Sequence, residues 1–201
     1  MIRESALAYF DIQTRAVRLE FQHMTEPTNE GSITLRAAAT ADEDLFLELY
    51  KSSRGDDLRG LAWDEDRISE FLEMQYEAQV KFYVTDFPDA SDEAVLWESK
   101  PIGRLIVDRR ADEIRLVDIA LLPDYRNRGF GSQVVRKLQT EAAAQHKPLR
   151  LQVIRFNRAL GLFERLGFVR ASETGTHFQM EWISEARPQG PQTASPAGMG
   201  R

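Results

Sequence analysis

With 201 residues, 42% of them hydrophobic and 29% charged, the chain has the length and apolar content of one ordinary globular domain with a sizeable core. Its formal net charge of -6 argues against a protein whose main task is to cover nucleic-acid phosphate with a broad basic face, so no nucleic-acid partner is expected. The chain contains no cysteine, which removes disulfides, thiolate metal ligands and a thiol nucleophile, and His23, His146 and His177 lack any metal-ligand spacing, so no metal site is expected.

Residues 1–31 read as an N-terminal extension, with Leu7, Phe10, Ile12 and Val17 in a short amphipathic pattern, then the polar run TEPTNEG, and Met24 as an alternative start. Charges interrupt every apolar run well before the roughly 18 residues that a membrane span needs, and the N-terminus lacks a signal-peptide core. A cytoplasmic protein without a membrane partner is expected. SITLRAA (32–38) predicts a strand. Thr40 and Glu43 then stand at capping-box spacing before a helix whose apolar stripe is Leu45, Phe46, Leu49 and Tyr50, and GDDLRGLAW reads as a loop. A second helix is expected from about Asp64 to Thr85, with Ile68, Phe71, Leu72 and Gln75 on adjacent turns and Phe87-Pro88 as its stop.

Strands follow at AVLWES, PIGRLIVDRR and EIRLVDIALL, the last two joined by a connection short enough for an antiparallel hairpin. After the Pro123-Asp124 turn a helix from Gly131 to about His146 carries Val134, Val135 and Leu138 on one face, and Lys147-Pro148 stops it. A strand PLRLQVIRF, a helix RALGLFERLG and a last strand THFQMEWI complete the order β α α β β β α β α β, a mixed α/β domain over 32–183. Residues 184–201, with Pro188, Pro191, Pro196, Gly190, Gly198 and Gly200 and little to bury, read as a disordered tail.

The chemistry concentrates in YRNRGFGSQVVRKL (125–138). A strand, a turn and a glycine-rich first helical turn form an anion site, because the first amides of a helix have no intrahelical acceptor and the helix dipole favours negative charge there. A dinucleotide fingerprint would need glycine at Val134, and a P-loop would need Lys and Ser or Thr after the second glycine, where Ser132 and Gln133 stand. The spacing that is met is R-x-x-G-x-G, by Arg126, Gly129 and Gly131, behind a strand ending in LLPDY.

That loop, together with LRLQV, Asn157 and LFERLGF (162–168), resembles the GNAT superfamily of acyl-CoA-dependent N-acetyltransferases. The resemblance implies a mostly antiparallel central sheet flanked by helices and splayed at the cofactor site, with acetyl-CoA wedged in the gap. It implies that Ile119, Ala120 and Leu121 pair with the pantetheine. The diphosphate would rest on amides of Asn127, Arg128, Gly129, Phe130, Gly131 and Ser132, with charge from Arg126 and Arg128. Asn157 and Phe163 would complete the cofactor contacts. A primary amine of a small molecule or a protein would be the acceptor, bound between the N-terminal helices and the splayed strands, and a homodimer is the family habit.

Acyl transfer to an amine needs a group to take the amine proton and stabilisation of an oxyanion. With no cysteine, direct attack in a ternary complex is the simpler route. Asp118 is the leading base, since it interrupts an apolar strand where desolvation of a carboxylate is costly; pairing with Arg104 or Arg115 is the structural alternative. Glu113 lies nearer the hairpin, and Gln152, at the place of a base in several relatives, accepts no proton at neutral pH. Phe163 occupies the family's tyrosine acid position; Tyr125 and His177 are substitutes, each with a packing or surface role as the blander reading. Asp56, Asp57, Asp64, Glu65 and Asp66 read as an acidic rim or as a helix start, the latter preferred. Trp63, Phe71, Tyr76 and Tyr83 read as core or as acceptor lining. The rival to an enzyme is a catalytically silent acyl-CoA-binding sensor or assembly module.

Overall fold

The computed structural model describes residues 31–58, 63–157 and 159–184, apart from the side chains of residues 55–57. The N-terminal extension up to residue 30, the tail from residue 185 and the expectations attached to them lie outside the described residues.

The first strand, β1 (Ile33–Ala37), enters a short 3-10 turn (Thr40–Asp42) and helix α1 (Glu43–Leu58). The expected Thr40–Glu43 capping box is not what holds this start. Asp42 accepts the Ala39 amide at 2.9 Å, and its carboxylate, almost fully buried, takes a two-pronged ion pair from Arg36 at 2.6 and 2.8 Å. The helix also runs through the segment expected to be a loop, as far as Leu58. Packing on the next helix overrides the glycine there: Lys51 donates to Ser69 and Glu73 across the pair, at 2.8 and 2.6 Å.

Helix α2 (Glu65–Asp86) begins as expected at Asp64, whose side chain accepts the Arg67 amide at 2.8 Å, and ends at Phe87. Strands β2 (Ser91–Trp97), β3 (Lys100–Arg109) and β4 (Ile114–Leu121) form the antiparallel meander. Helix α3 (Phe130–Ala144) leads to β5 (Leu149–Ile154), then the short α4 (Leu160–Arg165), β6 (Val169–Thr174) and β7 (His177–Trp182). Strand β6 was not foreseen. All six of its residues are exposed and carry no inward apolar alternation, so backbone pairing to β7 defines it as an edge strand.

The seven strands form one sheet in the order β1-β2-β3-β4-β5-β7-β6. Every neighbouring pair is antiparallel except β4 and β5, which run parallel and touch only through Ile114–Leu149, Arg115–Arg150 and Leu116–Leu151. Past Leu116 and Leu151 the two strands part. This is the splay expected from the resemblance.

Two apolar layers fix the sheet. On one face α3 sets Phe130, Val134, Val135, Leu138 and Ala142 against Val95, Leu105, Ile114 and Leu151. On the other, Phe46 and Leu49 of α1 cover Ala94 of β2, with Tyr76 of α2 and Ala120 of β4 beside them. The meander is unusually close at Gly103, where a Cβ would stand 2.4 Å from the Ala120 carbonyl oxygen, so only glycine fits. In β4 the pairing steps from Ile106–Asp118 to Val107–Leu116, leaving Val117 as the extra residue of a bulge. A bulge bends its strand and re-aims side chains, and this one lies where β4 leaves β5.

At the closed end of the splay, Arg115 and Arg150 face each other across β4 and β5. Two like charges in that position repel. Glu113 lies between them, accepting from Arg115 and Arg150 at 2.9 Å each and from Arg110 at 3.2 Å, and Arg150 also reaches Glu181 of β7 at 2.6 Å. The arginines hold the Glu113 carboxyl below its ordinary range in spite of its burial. That makes Glu113 a structural anion.

Candidate active site

The parting of β4 and β5 opens a cleft of about 100 Å³ between Leu116–Ile119 on one side and Leu151–Val153 on the other, closed by Asn157, Ala159 and Phe163. Among the described residues, the edge of β4 that turns toward this cleft has no strand partner beyond Leu116, while its other edge pairs Ile119, Ala120 and Leu121 with Leu105, Arg104 and Gly103 of β3. Exposed strand edges are templates for an extended ligand with its own amide groups.

At the far end of β4 the chain makes a 3-10 turn (Pro123–Tyr125) and enters the glycine loop. Asn127 and Gly129 take left-handed backbone angles, φ 57° and 82°, the second at the N-cap of α3. None of the amides from Asn127 through Ser132 has a hydrogen-bond acceptor among the described residues; the first helix bond of this kind is Gln133 N–H to Gly129 O at 3.0 Å. A run of unsatisfied amides at the start of a four-turn helix is the arrangement that holds an oxyanion. Gly131 leaves space: a Cβ there would meet only Leu162 at 3.5 Å and Leu121 at 3.9 Å, so no protein atom demands glycine.

The two arginines of the loop are engaged elsewhere. Arg126 donates from Nε to Leu121 O at 2.7 Å and from Nη2 to Ser52 Oγ of α1 at 2.8 Å. Arg128 lies between the rings of Trp97, Tyr125 and Phe130, 5.6 to 5.7 Å from each centroid. These rings also pack on one another at 5.6 to 6.0 Å, so the loop is braced by aromatic contact.

On the α1/α2 face, Asp118 stands beside the cleft. Its carboxylate accepts from the Tyr83 hydroxyl and from the Ile119 amide, and Arg104 and Arg54 act on it through space. Neither arginine named as its structural partner bonds it: Arg104 pairs in two-pronged fashion with Asp92, at 2.9 and 2.5 Å, and Arg115 with Glu113. The residue keeps some exposed area, yet its carboxyl lies deep enough that burial pushes it above the ordinary range, against the pull of Arg104, the Tyr83 bond, Arg54 and the Ile119 amide. Burial, then the Asp118 charge and bond, hold the Tyr83 hydroxyl far above its ordinary value, so it remains a neutral donor. Tyr83 is the site residue that sequence reasoning placed only as general lining. Its signal was weak, because a tyrosine at helical spacing is ordinarily core.

The remaining candidates separate cleanly by position. Phe163 is buried edge-on against Phe168 at 5.6 Å and forms the cleft wall. Asn157 also borders the cleft, with Oδ1 accepting the Ala159 amide at 2.8 Å as α4 begins. Gln152 lines the cleft from β5. Tyr125 belongs to the aromatic brace, and His177 sits beyond β5 with Nδ1 2.9 Å from Thr176 Oγ1. Asp64, Glu65 and Asp66 form the first turn of α2, as the helix-start reading held; the side chains of Asp56 and Asp57 lie outside the described residues. Trp63 stacks edge-on on Phe71 at 5.3 Å. Tyr76 lines a separate groove of about 570 Å³ with Phe46, Val80 and Arg104.

Residues 90–170 match the family model described as the acetyltransferase (GNAT) domain. Among solved structures, the fold is similar to the PaiA N-acetyltransferase of Thermoplasma acidophilum in complex with coenzyme A, at 20% identity and TM-score 0.58, covering 76% of this chain and 99% of that one. It is also similar to the ribosomal-protein-S18-alanine N-acetyltransferase of Escherichia coli, at 22% identity and TM-score 0.53, covering 79% and 98%. A GNAT family acetyltransferase of Elizabethkingia anophelis with acetyl-CoA bound gives 12% identity and TM-score 0.52, covering 76% and 99%. Among curated proteins none matches. The matched segment contains both the cleft and the glycine loop, and the fold of the described residues is that of the GNAT acetyltransferase structures. Over residues 90–170 and in its fold, the chain is similar to acetyltransferases of the GNAT superfamily.

Proposed function

We propose that this chain is an N-acetyltransferase that uses acetyl-CoA as cosubstrate and transfers the acetyl group directly to a primary amine of a small molecule or a protein. The observation that carries this reading is the continuity of three features: an open strand edge at Ile119 to Leu121, a set of unpartnered amides from Asn127 through Ser132 at its end, and a carboxylate of raised pKa beside it. Two of the solved relatives hold CoA or acetyl-CoA, which is why that group is the choice for this site.

In this reading the pantetheine amides pair with the β4 edge, and the diphosphate meets the loop amides, each charge-assisted bond contributing about 1.5–3 kcal/mol. Acetyl-CoA supplies an activated thioester. Asp118 takes a proton from the incoming ammonium, and the neutral amine nitrogen attacks the carbonyl carbon. The C–N bond forms, the C–S bond breaks, and the second proton shed by the nitrogen passes by way of water to the departing thiolate, because Phe163 has none to give. Tyr83 fixes the carboxylate through its hydroxyl. A cytoplasmic homodimer belongs to the same reading.

Isothermal titration with acetyl-CoA and with CoA tests the binding half, and absence of binding removes the reading. Release of free CoA thiol across a panel of primary amines tests the catalytic half. The buried phenyl ring of Phe163 favours a second reading, a silent acyl-CoA-binding module, which predicts tight binding with no amine-dependent release.

A further inference from the structure

The arginine of the R-x-x-G-x-G signature does not point its guanidinium along the loop. We infer that Arg126 is a positioning residue, a strut that ties the cofactor loop to the acceptor-side helix α1, and that it transmits occupancy of the loop to that helix. The inference rests on the acetyl-CoA reading above.

Three observations carry it. Arg126 Nε donates to Leu121 O, the last carbonyl of β4, at 2.7 Å, so the side chain folds back over the strand it follows. Its Nη2 donates to Ser52 Oγ at 2.8 Å, with Nη1 3.5 Å from Ser52 O. Ser52 is prepared for this role: its own hydroxyl proton goes to Leu49 O at 2.9 Å, which leaves an oxygen lone pair for the guanidinium. A planar fork with donors on two sides is suited to bridging two elements; an ammonium at the same place reaches one acceptor well and cannot span both.

The link has a destination. On the same helix, two residues beyond Ser52, Arg54 lies over the Tyr50 ring at 4.9 Å and acts through space on both Asp118 and Tyr83. The loop, the end of β4, α1 and the base are therefore one connected set. Ligand bound on the amides of Asn127 through Ser132 stiffens the loop, Arg126 carries that constraint to Ser52, and α1 is held where Arg54 faces the base.

The test uses the full chain, CoA as probe, and hydrogen–deuterium exchange of peptides from residues 43–58, alongside titration calorimetry. In the wild-type protein CoA slows exchange in that stretch. Ser52→Ala and Arg126→Lys lose most of the slowing while the Kd for CoA stays within about threefold, because no phosphate contact has been removed; loss of a direct guanidinium–phosphate bond would weaken CoA by about tenfold or more. Melting temperatures close to wild type show that both variants fold, and Ser52→Ala, a small change at a half-buried helix position, suffices if Arg126→Lys does not.

Retention of the CoA-induced slowing in Ser52→Ala overturns the strut. So does a tenfold loss of CoA affinity in Arg126→Lys with Ser52→Ala unchanged, which makes Arg126 a phosphate ligand. CoA binding without any slowing in the wild type sinks this inference alone, whereas absence of CoA binding sinks the acetyl-CoA reading itself.

Discussion

Replacing Asp118 by Asn removes one negative charge and one proton-accepting site while keeping the shape of the side chain. The amide oxygen can still accept from Tyr83, so the local packing is conserved. A positioned general base contributes about 10²–10⁴-fold, which is about 2.7–5.5 kcal/mol of barrier. Stability should move in the opposite direction. Because burial raises the Asp118 pKa in the folded state, the folded protein holds its proton over a pH range in which the unfolded chain has already lost it. Stability is then fully present below the unfolded value and falls as pH rises through the folded one. Asparagine carries no such penalty. At pH 7 the variant should melt at the same temperature as the wild type or higher, and the difference should shrink as pH drops toward about 4, the ordinary Asp value. The assays are amine-dependent CoA release for activity and calorimetric melting from pH 4 to 8 for stability. Near-wild-type turnover would remove Asp118 as the base. A large loss of melting temperature together with activity would make it a structural anion, and the reasoning about its burial would fail.

Three further outcomes follow from the same contacts. Tyr83→Phe deletes the hydroxyl that lowers the Asp118 pKa, so the acidic limb of the pH–rate profile should move to higher pH, with activity at pH 7 reduced by more than at pH 9; an unmoved limb would separate Tyr83 from the base. Gly129→Ala forces a side chain into a left-handed backbone angle at a cost of about 1–2 kcal/mol, and should weaken CoA binding in calorimetry while leaving the rest of the fold intact by circular dichroism. Glu113→Gln removes the anion between Arg115 and Arg150. About 1–3 kcal/mol of stability should be lost at pH 7, with the difference from wild type vanishing at acidic pH, where a carboxyl of lowered pKa is finally protonated.

The parts of this protein that could be read from sequence are those in which one residue type has one physical use. Gly129 and Gly131 at fixed spacing after a strand define an anion loop because left-handed angles and close approach both ask for glycine. The apolar stripe of α3 and the start of α2 near Asp64 follow in the same way from helical period and from the preference of a first helical turn for acids. What was not legible depends on tertiary neighbours. Strand β6 has no buried face and exists through its pairing with β7. The continuation of α1 past Gly55 comes from the grip of α2. Asp118 was recognisable as an anomaly in an apolar strand, but its partner is a tyrosine from α2, not the arginines nearer in sequence. Arg126 matched a motif by identity, while its direction is decided by a serine on α1 that no local pattern could nominate.

The contact between β4 and β5 is confined to three residue pairs, so the sheet resembles an open book with a short spine. One cover carries β1 to β4 with α1 and α2, and the other carries β5, β7 and β6. Glu113, Arg150 and Glu181 tie the spine across three neighbouring strands, and they do so outside the volume a ligand would enter. The closed end of the gap is thus braced by a charge network that lies apart from the cleft. Because the Glu113 carboxyl is held below its ordinary range while that of Asp118 is raised, acid reaches the carboxylate beside the cleft first and the spine of the book only later.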